Sequence, residues 1–385
     1  MSQWTSRKRI EAALRHETPD RVPLDFAITL KAYLGLRECL GLPFEHNVQA
    51  DRFFEVRPAL DVISALGVDM TFVRLSKPRH VAPRAPLPDG TQLDEWGVGR
   101  KRVDLPGGAS LFEVTYSPWK HLHPDEIDLD AYAWPDPYDP GFTDGLAVEA
   151  QRLYQETDLA LMGRFGGPIL EIAAYLRGFE QWLMDLVQHP EFSLRLLHRI
   201  ADIQIALDEA GIREAGETLS VFKVSGEDLG MQDRPLFSMK VWKEVLYPVL
   251  DRRWRAARAA LDRYAPRAKI MLHSDGAIRP FLPDIVASGV ALIDPVQGMC
   301  KGMELEALKR DFGDRLAFHG GVDTQFTLPF KTAAEVCAET RRVIRALGPR
   351  GGLIAGPSHF IQADVPAENI VALCQTVVNE GRYPL

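Results

Sequence analysis

The sequence predicts a (β/α)8 barrel, an α/β fold in which parallel strands alternate with helices. Eight short apolar runs recur along the chain, with helical patterns between them. Runs such as LALMG at 159–163 and GVALID at 289–294 are apolar without alternation, which is typical of strands covered by helices on both faces of a parallel sheet. The 385 residues accommodate one barrel of roughly 250 residues and an insertion of about 100. A doubly wound open sheet has the same local pattern and remains the alternative.

The predicted elements follow one another in chain order. An amphipathic segment at 1–16 has the pattern of a helix rather than of a signal peptide. The predicted strands are VPLDF at 22–26, DMTFVRL at 69–75, LALMG at 159–163, LSVFKV at 219–224, AKIMLH at 268–273, GVALID at 289–294, RLAFHGG at 315–321 and GGLIAGP at 351–357. The helical patterns lie at 47–66, 190–214, 236–263, 277–288, 302–312, 331–347 and 366–380.

The stretch between the second and third strands is too long for a single crossover. Residues 76–158 contain the turn signals PDG and PGG and an alternating LFEVTY run. This pattern predicts a β-hairpin insertion followed by an acidic, Pro-rich connector. We expect the insertion to cap the barrel mouth, so that residues 1–385 form a single domain.

Composition and charge exclude several classes of protein. The chain has 45 Lys and Arg against 53 Asp and Glu, a formal net charge of −8, and no basic run that could follow a phosphate backbone. No segment reaches the ~20 apolar residues of a membrane span. The four scattered cysteines exclude a disulfide framework and a thiolate metal cluster. We therefore expect a cytoplasmic protein that binds neither nucleic acid nor a membrane, and the oligomeric state stays open, a homodimer included.

Polar residues follow nearly every predicted strand, where a (β/α)8 barrel places its reacting groups. His273 and Asp275 follow the fifth strand, and residues i and i+2 of an extended segment face the same side. Together with Glu227 after the fourth strand and His359 after the eighth, they offer imidazoles and carboxylates to zinc or another divalent cation. A hydrogen-bonded His–Asp pair of purely structural role is the alternative.

Other candidates are assigned to catalysis or to substrate binding. Asp25, at the end of the first strand, is a catalytic candidate with His359 and Glu227. We expect Asp228 to cap the following helix instead. For Asp323 a turn-closing hydrogen bond is the alternative. The predicted substrate-binding residues are Arg164, Phe165, Gln297 and Asp323.

Seven short motifs are distributed along the chain. They are TPDRVP at 18–23, GEDLGMQ at 226–232, HSDG at 273–276, DPVQ at 294–297, GGVD at 320–323, GPSH at 356–359 and VPAENI at 365–370. Together they resemble the uroporphyrinogen decarboxylase (URO-D) superfamily, and in particular its cobalamin-dependent methyltransferase branch. The similarity covers nearly the whole chain and is strongest from about residue 220 onward. It implies the (β/α)8 barrel fold of that superfamily.

Two chemistries compete within the superfamily. Members that decarboxylate uroporphyrinogen bind the substrate carboxylates with basic residues, typically an Arg-Gln-Ala-Gly-Arg segment after the first strand. The corresponding place here reads FAITLK at 26–31. Without the arginine pair, the tetrapyrrole carboxylates lose charge-assisted hydrogen bonds that contribute roughly 1.5–3 kcal/mol each. The resemblance therefore favours the methyltransferase branch.

The methyltransferase branch passes a methyl group between a small substrate and a cobalamin carried by a partner protein. Its thiol-activating members hold zinc with a His-x-Cys turn and a later Cys. His273 matches that His, whereas Asp275 and His359 replace the two cysteines and form a harder set that suits an oxygen ligand. The resemblance implies demethylation of a small methoxylated or methylated-heteroatom compound, with a divalent metal and a corrinoid protein as acceptor. A decarboxylase of a smaller carboxylated substrate and a non-catalytic ligand-binding barrel are the alternatives.

Overall fold

The computed structural model describes residues 4–44, 48, 50, 55–80, 84–104, 110–224 and 226–385. The strands are β1 (Ile28–Thr29), β2 (Glu55–Val56), β3 (Met70–Arg74), β4 (Gly99–Asp104), β5 (Ser110–Tyr116), β6 (Ala160–Arg164), β7 (Leu219–Val224), β8 (Lys269–His273), β9 (Leu292–Val296), β10 (Ala317–Val322) and β11 (Leu353–Pro357). The helices are α1 (Ser6–Leu14), α2 (Leu30–Cys39), α3 (Leu60–Leu66), α4 (Leu146–Glu156), α5 (Leu170–Arg177), α6 (Phe179–Gln188), α7 (Pro190–Ala215), α8 (Met239–Val241), α9 (Tyr247–Tyr264), α10 (Leu282–Ala287), α11 (Leu305–Phe312), α12 (Thr327–Phe330), α13 (Ala333–Leu347) and α14 (Ala367–Glu380).

A parallel sheet curls around the centre of the molecule in the order β3-β6-β7-β8-β9-β10-β11. The predicted first strand, 22–26, lies between the two edges of this sheet. The amide of Asp25 donates to Ala355 of β11 over 3.0 Å, and the amide of Asp69, just before β3, donates to Leu24 over 2.8 Å. Pro23 has no amide hydrogen to donate, which accounts for the irregular pairing of this segment. The segment nevertheless closes the sheet into the predicted (β/α)8 barrel, and the open-sheet alternative is wrong.

The inward-facing side chains form an apolar layer below a polar one. The lower layer consists of Met70, Phe72, Ala160, Met162, Val221, Met271, Leu292, Ala317 and Ile354, and Ile10, Ala13 and Leu14 of α1 cover its N-terminal end. Two positions further along their strands lie Arg164, Lys223, His273, Asp294 and His319. Because side chains alternate along a strand, these five also point inward, at the C-terminal end of the barrel. The polar layer therefore lies at the barrel mouth.

From α7 onward, the predicted helices are confirmed, with bounds that differ by a few residues. Earlier in the chain, the helix predicted at 47–66 is an exception. The pattern at 47–66 predicted one helix, but 55–56 form β2 and the helix α3 begins only at Leu60. Residues 47, 49 and 51–54 of that prediction lie outside the described residues. The strand β2 pairs antiparallel with β1, so this part of the chain forms a small ribbon instead of a long helix.

The insertion contains the predicted hairpin. Strands β4 and β5 pair antiparallel. Four aromatic rings pack together in the segments that flank the hairpin. The ring centroids of Trp119 and Tyr132 are 4.6 Å apart, and those of Trp134 and Trp96 are 6.2 Å apart, both pairs in edge-to-face contact. The last predicted residues of the insertion form α4, which packs on β3, β6 and α7 and so belongs to the barrel. Within the described part of the chain, no helix is both long and apolar enough to cross a membrane.

Candidate active site

Three of the four predicted metal ligands meet at the barrel mouth. His273 ends β8, Asp275 follows it by two residues, and His359 follows β11. One ligand atom of each lies within 4.8 Å of the others. The Nε2 atom of His273 is 3.7 Å from Oδ1 of Asp275, and that of His359 is 3.5 Å from Oδ2. Oδ1 of Asp275 is buried, and no described atom forms a hydrogen bond with it. Two imidazoles and one carboxylate thus converge on one point.

A carboxylate behind His273 fixes the orientation of its ring. The Nδ1 atom of His273 lies 2.8 Å from Oδ2 of Asp294, so that Nε2 is the nitrogen that faces Asp275. Asp294 also accepts from Lys223 over 2.5 Å and contacts Nδ1 of His319 at 2.6 Å. The other nitrogen of His319 lies 3.1 Å from the carboxylate of Asp25. A continuous hydrogen-bonded chain therefore runs across the barrel interior from His273 to Asp25.

In this hydrogen-bonded chain, neighbouring charges and hydrogen bonds shift the pKa values of Asp294 and His319 more than burial does. Burial alone would raise the pKa of Asp294, but Lys223 and His319 hold that pKa well below its usual range. Burial alone would lower the pKa of His319, but the charge of Asp294 and the hydrogen bond to Asp25 raise it to about 9. Asp294 is therefore an anion and His319 a cation at neutral pH, and the pair is held in one arrangement by its own charges.

The two histidines at the mouth are affected differently. Burial lowers the pKa of His359, which keeps its imidazole neutral at pH 7. Burial and the charge of Lys223 also oppose protonation of His273, but the hydrogen bond and charge of Asp294 raise its pKa. Carboxylates around His273 thus favour a positive charge at this position. A metal ion would compete with the proton for the imidazole.

Glu227 does not join the other three predicted ligands. It is fully buried, and its two oxygens accept from the amides of Ile169 and Leu170 at the start of α5, over 2.8 Å each. The guanidinium of Arg253 lies 3.6 Å from the same carboxylate. The predicted metal-binding and catalytic roles of Glu227 are therefore corrected: this side chain satisfies the free amides of a helix N-terminus.

Asp228 does not have its predicted role either. The helix that follows it, α8, begins after Ser238, whose hydroxyl oxygen accepts from the amide of Val241 over 3.2 Å. Asp228 is exposed and lines the mouth of the barrel. Of the two adjacent carboxylates, the buried one caps a helix and the exposed one faces the cavity.

Glu227→Gln is expected to lower the free energy of unfolding by about 1–3 kcal/mol, because its amide NH2 would face one of two buried N–H donors. Asp228→Asn is the matched control, and we expect it to change stability by less than about 0.5 kcal/mol. Urea denaturation of both variants measures the difference. A stable Glu227→Gln beside an unstable Asp228→Asn would contradict this assignment.

Phe165 lines the mouth cavity, and its ring also packs in the core. The ring stacks on Phe222 with the centroids 5.8 Å apart and packs where a side chain at Gly211 of α7 would lie. Both phenylalanines belong to the core between the barrel and its helices. Arg164, the last residue of β6, points into the barrel interior, and the substrate-binding role of Phe165 stays a prediction.

Gln297 and Asp323 stabilise turns at the mouth. The side-chain oxygen of Gln297 accepts from the amide of Gly276 over 2.9 Å and so holds the turn that carries Asp275. The carboxylate of Asp323 accepts from three amides, those of residues 325, 326 and 327, over 2.7–2.9 Å. The hydrogen bonds of Asp323 are those of the turn-closing alternative, and the substrate-binding role of both residues stays a prediction.

Two cavities meet at the histidine pair. A cavity of about 1620 Å³ opens at the mouth, and a smaller one of about 40 Å³ lies below it inside the barrel. Asp25 lines the smaller one. The two cavities adjoin at six residues that line both, and we call this place the passage: Phe72, Arg164, Lys223, His273, His359 and Phe360. A small molecule in this passage would lie beside His273 and His359, the two imidazoles of the converging set.

Sequence reasoning missed three residues of the site: Lys223, Asp294 as a hydrogen-bonding centre, and His319. A signal for two of them was present. Lys223 and His319 are ionisable residues inside runs that otherwise read as strands buried on both faces. Ionisable groups in such positions are buried only when they are paired, and their pairing with Asp294 satisfies that condition.

Comparison with known proteins identifies the family. The family model described as uroporphyrinogen decarboxylase (URO-D) matches residues 114–379. The chain belongs to the URO-D family. Its curated relatives include the uroporphyrinogen decarboxylase of Magnetococcus marinus, 25% identical over 240 residues, or 61% of this chain and 63% of that protein. The uroporphyrinogen decarboxylase of Alkalilimnicola ehrlichii is 24% identical over 296 residues, or 74% of this chain and 72% of that protein.

The structural comparison supports the URO-D fold. A methyltransferase from Methanosarcina mazei superposes with a TM-score of 0.64 over 98% of this chain and 99% of that chain. The sequence identity is 17%, so this likeness shows the fold alone. The similar proteins thus carry the names of two classes of enzyme: the sequence relatives are decarboxylases, and the structural neighbour is a methyltransferase.

Proposed function

We propose that this URO-D family member is a metal-assisted methyltransferase. It removes a methyl group from a small methoxylated or methylated-heteroatom compound and passes it to a corrinoid (cobalamin) protein. The observation that carries the proposal is the convergence of His273, Asp275 and His359 beside the passage between the two cavities.

The donor set fits zinc or a similar divalent cation. Imidazole nitrogens and carboxylate oxygens are ligands of zinc, and catalytic sites use three protein ligands and leave one position for water or substrate. Oδ1 of Asp275 lies buried without a hydrogen-bond partner among the described atoms, as expected of a metal ligand. The contact of His273 Nδ1 with Asp294 is the outer-shell arrangement that orients a metal-binding imidazole.

The residues around this set have distinct tasks. Asp294 fixes the tautomer of His273, while Lys223 and His319 keep Asp294 ionised. A bound cation would act as a Lewis acid on the heteroatom that loses its methyl group. The neutral imidazole of His359 suits a ligand better than a proton donor.

Two aromatic rings at the passage would reduce the contact of the reacting groups with water when a substrate is bound. Phe72 and Phe360 line it, and the centroid of the His359 ring lies 4.9 Å from that of Phe360. Excluding water strengthens the electrostatic interactions of the site. Reduced cobalamin on the corrinoid partner would supply the nucleophile that accepts the methyl group. His273, Asp275 and His359 would hold the cation beside the heteroatom, which would keep the electron pair of the broken bond and take up a proton when the product is released.

Decarboxylation of a uroporphyrinogen is the competing function, and the names of the curated relatives favour it. The charges of the mouth cavity argue against it. Its basic lining residues are Arg57, Arg74, Lys77, Arg164 and Lys223, and its acidic ones are Glu95, Asp144, Glu149, Glu171 and Asp228. A substrate with many carboxylates requires an excess of basic partners. The described lining, with equal numbers of each sign, suits a smaller and less charged molecule.

The proposal predicts methyl transfer that depends on reduced cobalamin. Metal-loaded protein is incubated with cob(I)alamin and a panel of methoxylated compounds, and transfer is followed by the absorbance change of the cobalamin and by mass spectrometry of the demethylated product. Parallel reactions contain uroporphyrinogen, or omit the cobalamin. Demethylation without any corrinoid, or conversion of uroporphyrinogen to coproporphyrinogen at a comparable rate, would overturn the proposal.

A further inference from the structure

The imidazole of His319 joins two buried carboxylates that come from distant parts of the chain. Its Nδ1 atom lies 2.6 Å from Oδ1 of Asp294, and its Nε2 atom lies 3.1 Å from Oδ2 of Asp25. All three residues are buried. An ionised carboxylate only accepts hydrogen bonds, so both ring nitrogens of His319 carry a hydrogen, and the ring cannot turn without losing a bond. The two carboxylates therefore fix this imidazole in one orientation.

A glycine allows this contact to cross the barrel interior. Asp25 belongs to the segment 22–26 that closes the barrel, and β11 lies between that segment and β10. Ile354 of β11 points inward, and two residues later Gly356 occupies the next inward position. Gly356 has no side chain, and a β-carbon there would collide with the backbone oxygen of Asp25. His319 and Asp25 thus meet in front of β11.

We propose that Asp25 and His319 are positioning residues that raise the affinity of the site for its divalent cation. They act through Asp294 on the metal ligand His273. This inference rests on the proposed function, because the cation belongs to that function. The contact with His319 occupies Oδ1 of Asp294, and Oδ2 of the same carboxylate then lies at Nδ1 of His273.

The order of these contacts explains why the far end of the chain matters. If Asp25 lost its carboxylate, the ring of His319 would keep one charged acceptor instead of two and could turn. Asp294 would then lose a fixed donor, and with it the fixed direction of its bond to His273. An imidazole that samples several orientations binds a cation more weakly, because ordering it on binding costs free energy. Asp25 thus acts through His319 and not on a reacting group, unlike the catalytic role predicted for it.

Zinc binding to metal-free protein tests the inference without any methyl transfer. The Zn²⁺ affinity is measured by competition with a chromophoric chelator, and the absorption spectrum of the Co²⁺-loaded protein reports the geometry of the ligands. We expect Asp25→Leu to bind Zn²⁺ about tenfold more weakly than the wild-type protein, the lower end of the range for outer-shell partners. Asp25→Asn should have an intermediate affinity, because its amide oxygen still accepts from His319. The Co²⁺ spectrum should change in the same order.

Asp69→Asn is the matched control at the other end of the barrel. Asp69 is fully buried and accepts from Arg21 over 2.7 Å and from the amide of Leu24 over 2.8 Å. Its substitution should lower stability but leave the Zn²⁺ affinity and the Co²⁺ spectrum unchanged. Circular dichroism verifies the folding of each variant, and Asp25→Asn, which keeps the size of the side chain, decides the test where Asp25→Leu does not fold.

Two results would overturn the inference. One is a wild-type Zn²⁺ affinity in the folded Asp25 variants, and the other is an equal loss of affinity in Asp69→Asn. Weaker Zn²⁺ binding by the Asp25 variants alone, together with no methyl transfer by the wild-type protein, would instead overturn the proposed function.

Discussion

His273→Ala is expected to lower the bound divalent metal from about one equivalent per chain to background, since one of three protein ligands is lost. The substitution also removes the imidazole that Asp294 orients by its contact with Nδ1. Elemental analysis of protein purified without chelator measures the metal content. Methyl transfer by the variant should fall in parallel.

His80→Ala is the matched control for this loss. His80 also pairs with an aspartate, since its Nδ1 atom lies 3.0 Å from Asp139, but its side chain is 78% exposed in the insertion. Its removal should leave the metal content unchanged. Equal metal content in wild type and His273→Ala, or full activity of metal-free protein, would show that the three side chains form a structural cluster.

His359→Ala is expected to lower methyl transfer by at least roughly a hundredfold while leaving the protein folded, because it removes one ligand of the proposed Lewis-acid metal. The side chain of His359 is 32% exposed, and it contacts Asp275 and the ring of Phe360. Its removal therefore takes little packing from the core but removes a predicted metal ligand. Thermal unfolding and steady-state kinetics separate the two effects.

The comparison variant for His359 is Asp228→Asn, four residues after the end of β7. Asp228 is exposed and lines the cavity without capping α8, so its substitution should affect neither stability nor turnover strongly. An active His359→Ala beside an inactive Asp228→Asn would move the chemistry to the end of β7. It would also show that the cluster of His273, Asp275 and His359 does not take part in catalysis.

The fold could be predicted because its determinants are local. Strands buried on both faces are mainly apolar, and the eight predicted runs have this property apart from a few polar residues such as Lys223 and His319. The spacing of His273 and Asp275 is also local, because alternation along an extended segment places both on one side. Polar residues directly after the apolar runs then indicate the mouth of the barrel.

Roles predicted for single side chains were wrong where the side chain could form hydrogen bonds with any of several neighbours. Glu227 and Asp228 are adjacent carboxylates after one strand, and only the position of α5 against β7 decides which of them meets the free amides of a helix. Phe165 follows Arg164 by one residue, and the direction of each depends on where the strand ends. Residue type and spacing do not contain this information.

The sequence by itself determined the barrel, its hairpin insertion and the ligand types at the strand ends. Only the tertiary structure decided that His359, more than eighty residues after His273, has its ring centroid 5.7 Å from that of His273. It also placed Lys223 and His319 on either side of Asp294. The physical reason is that barrel closure brings residues from distant strands to one level of the interior, where ionisable groups must pair with one another because water is excluded.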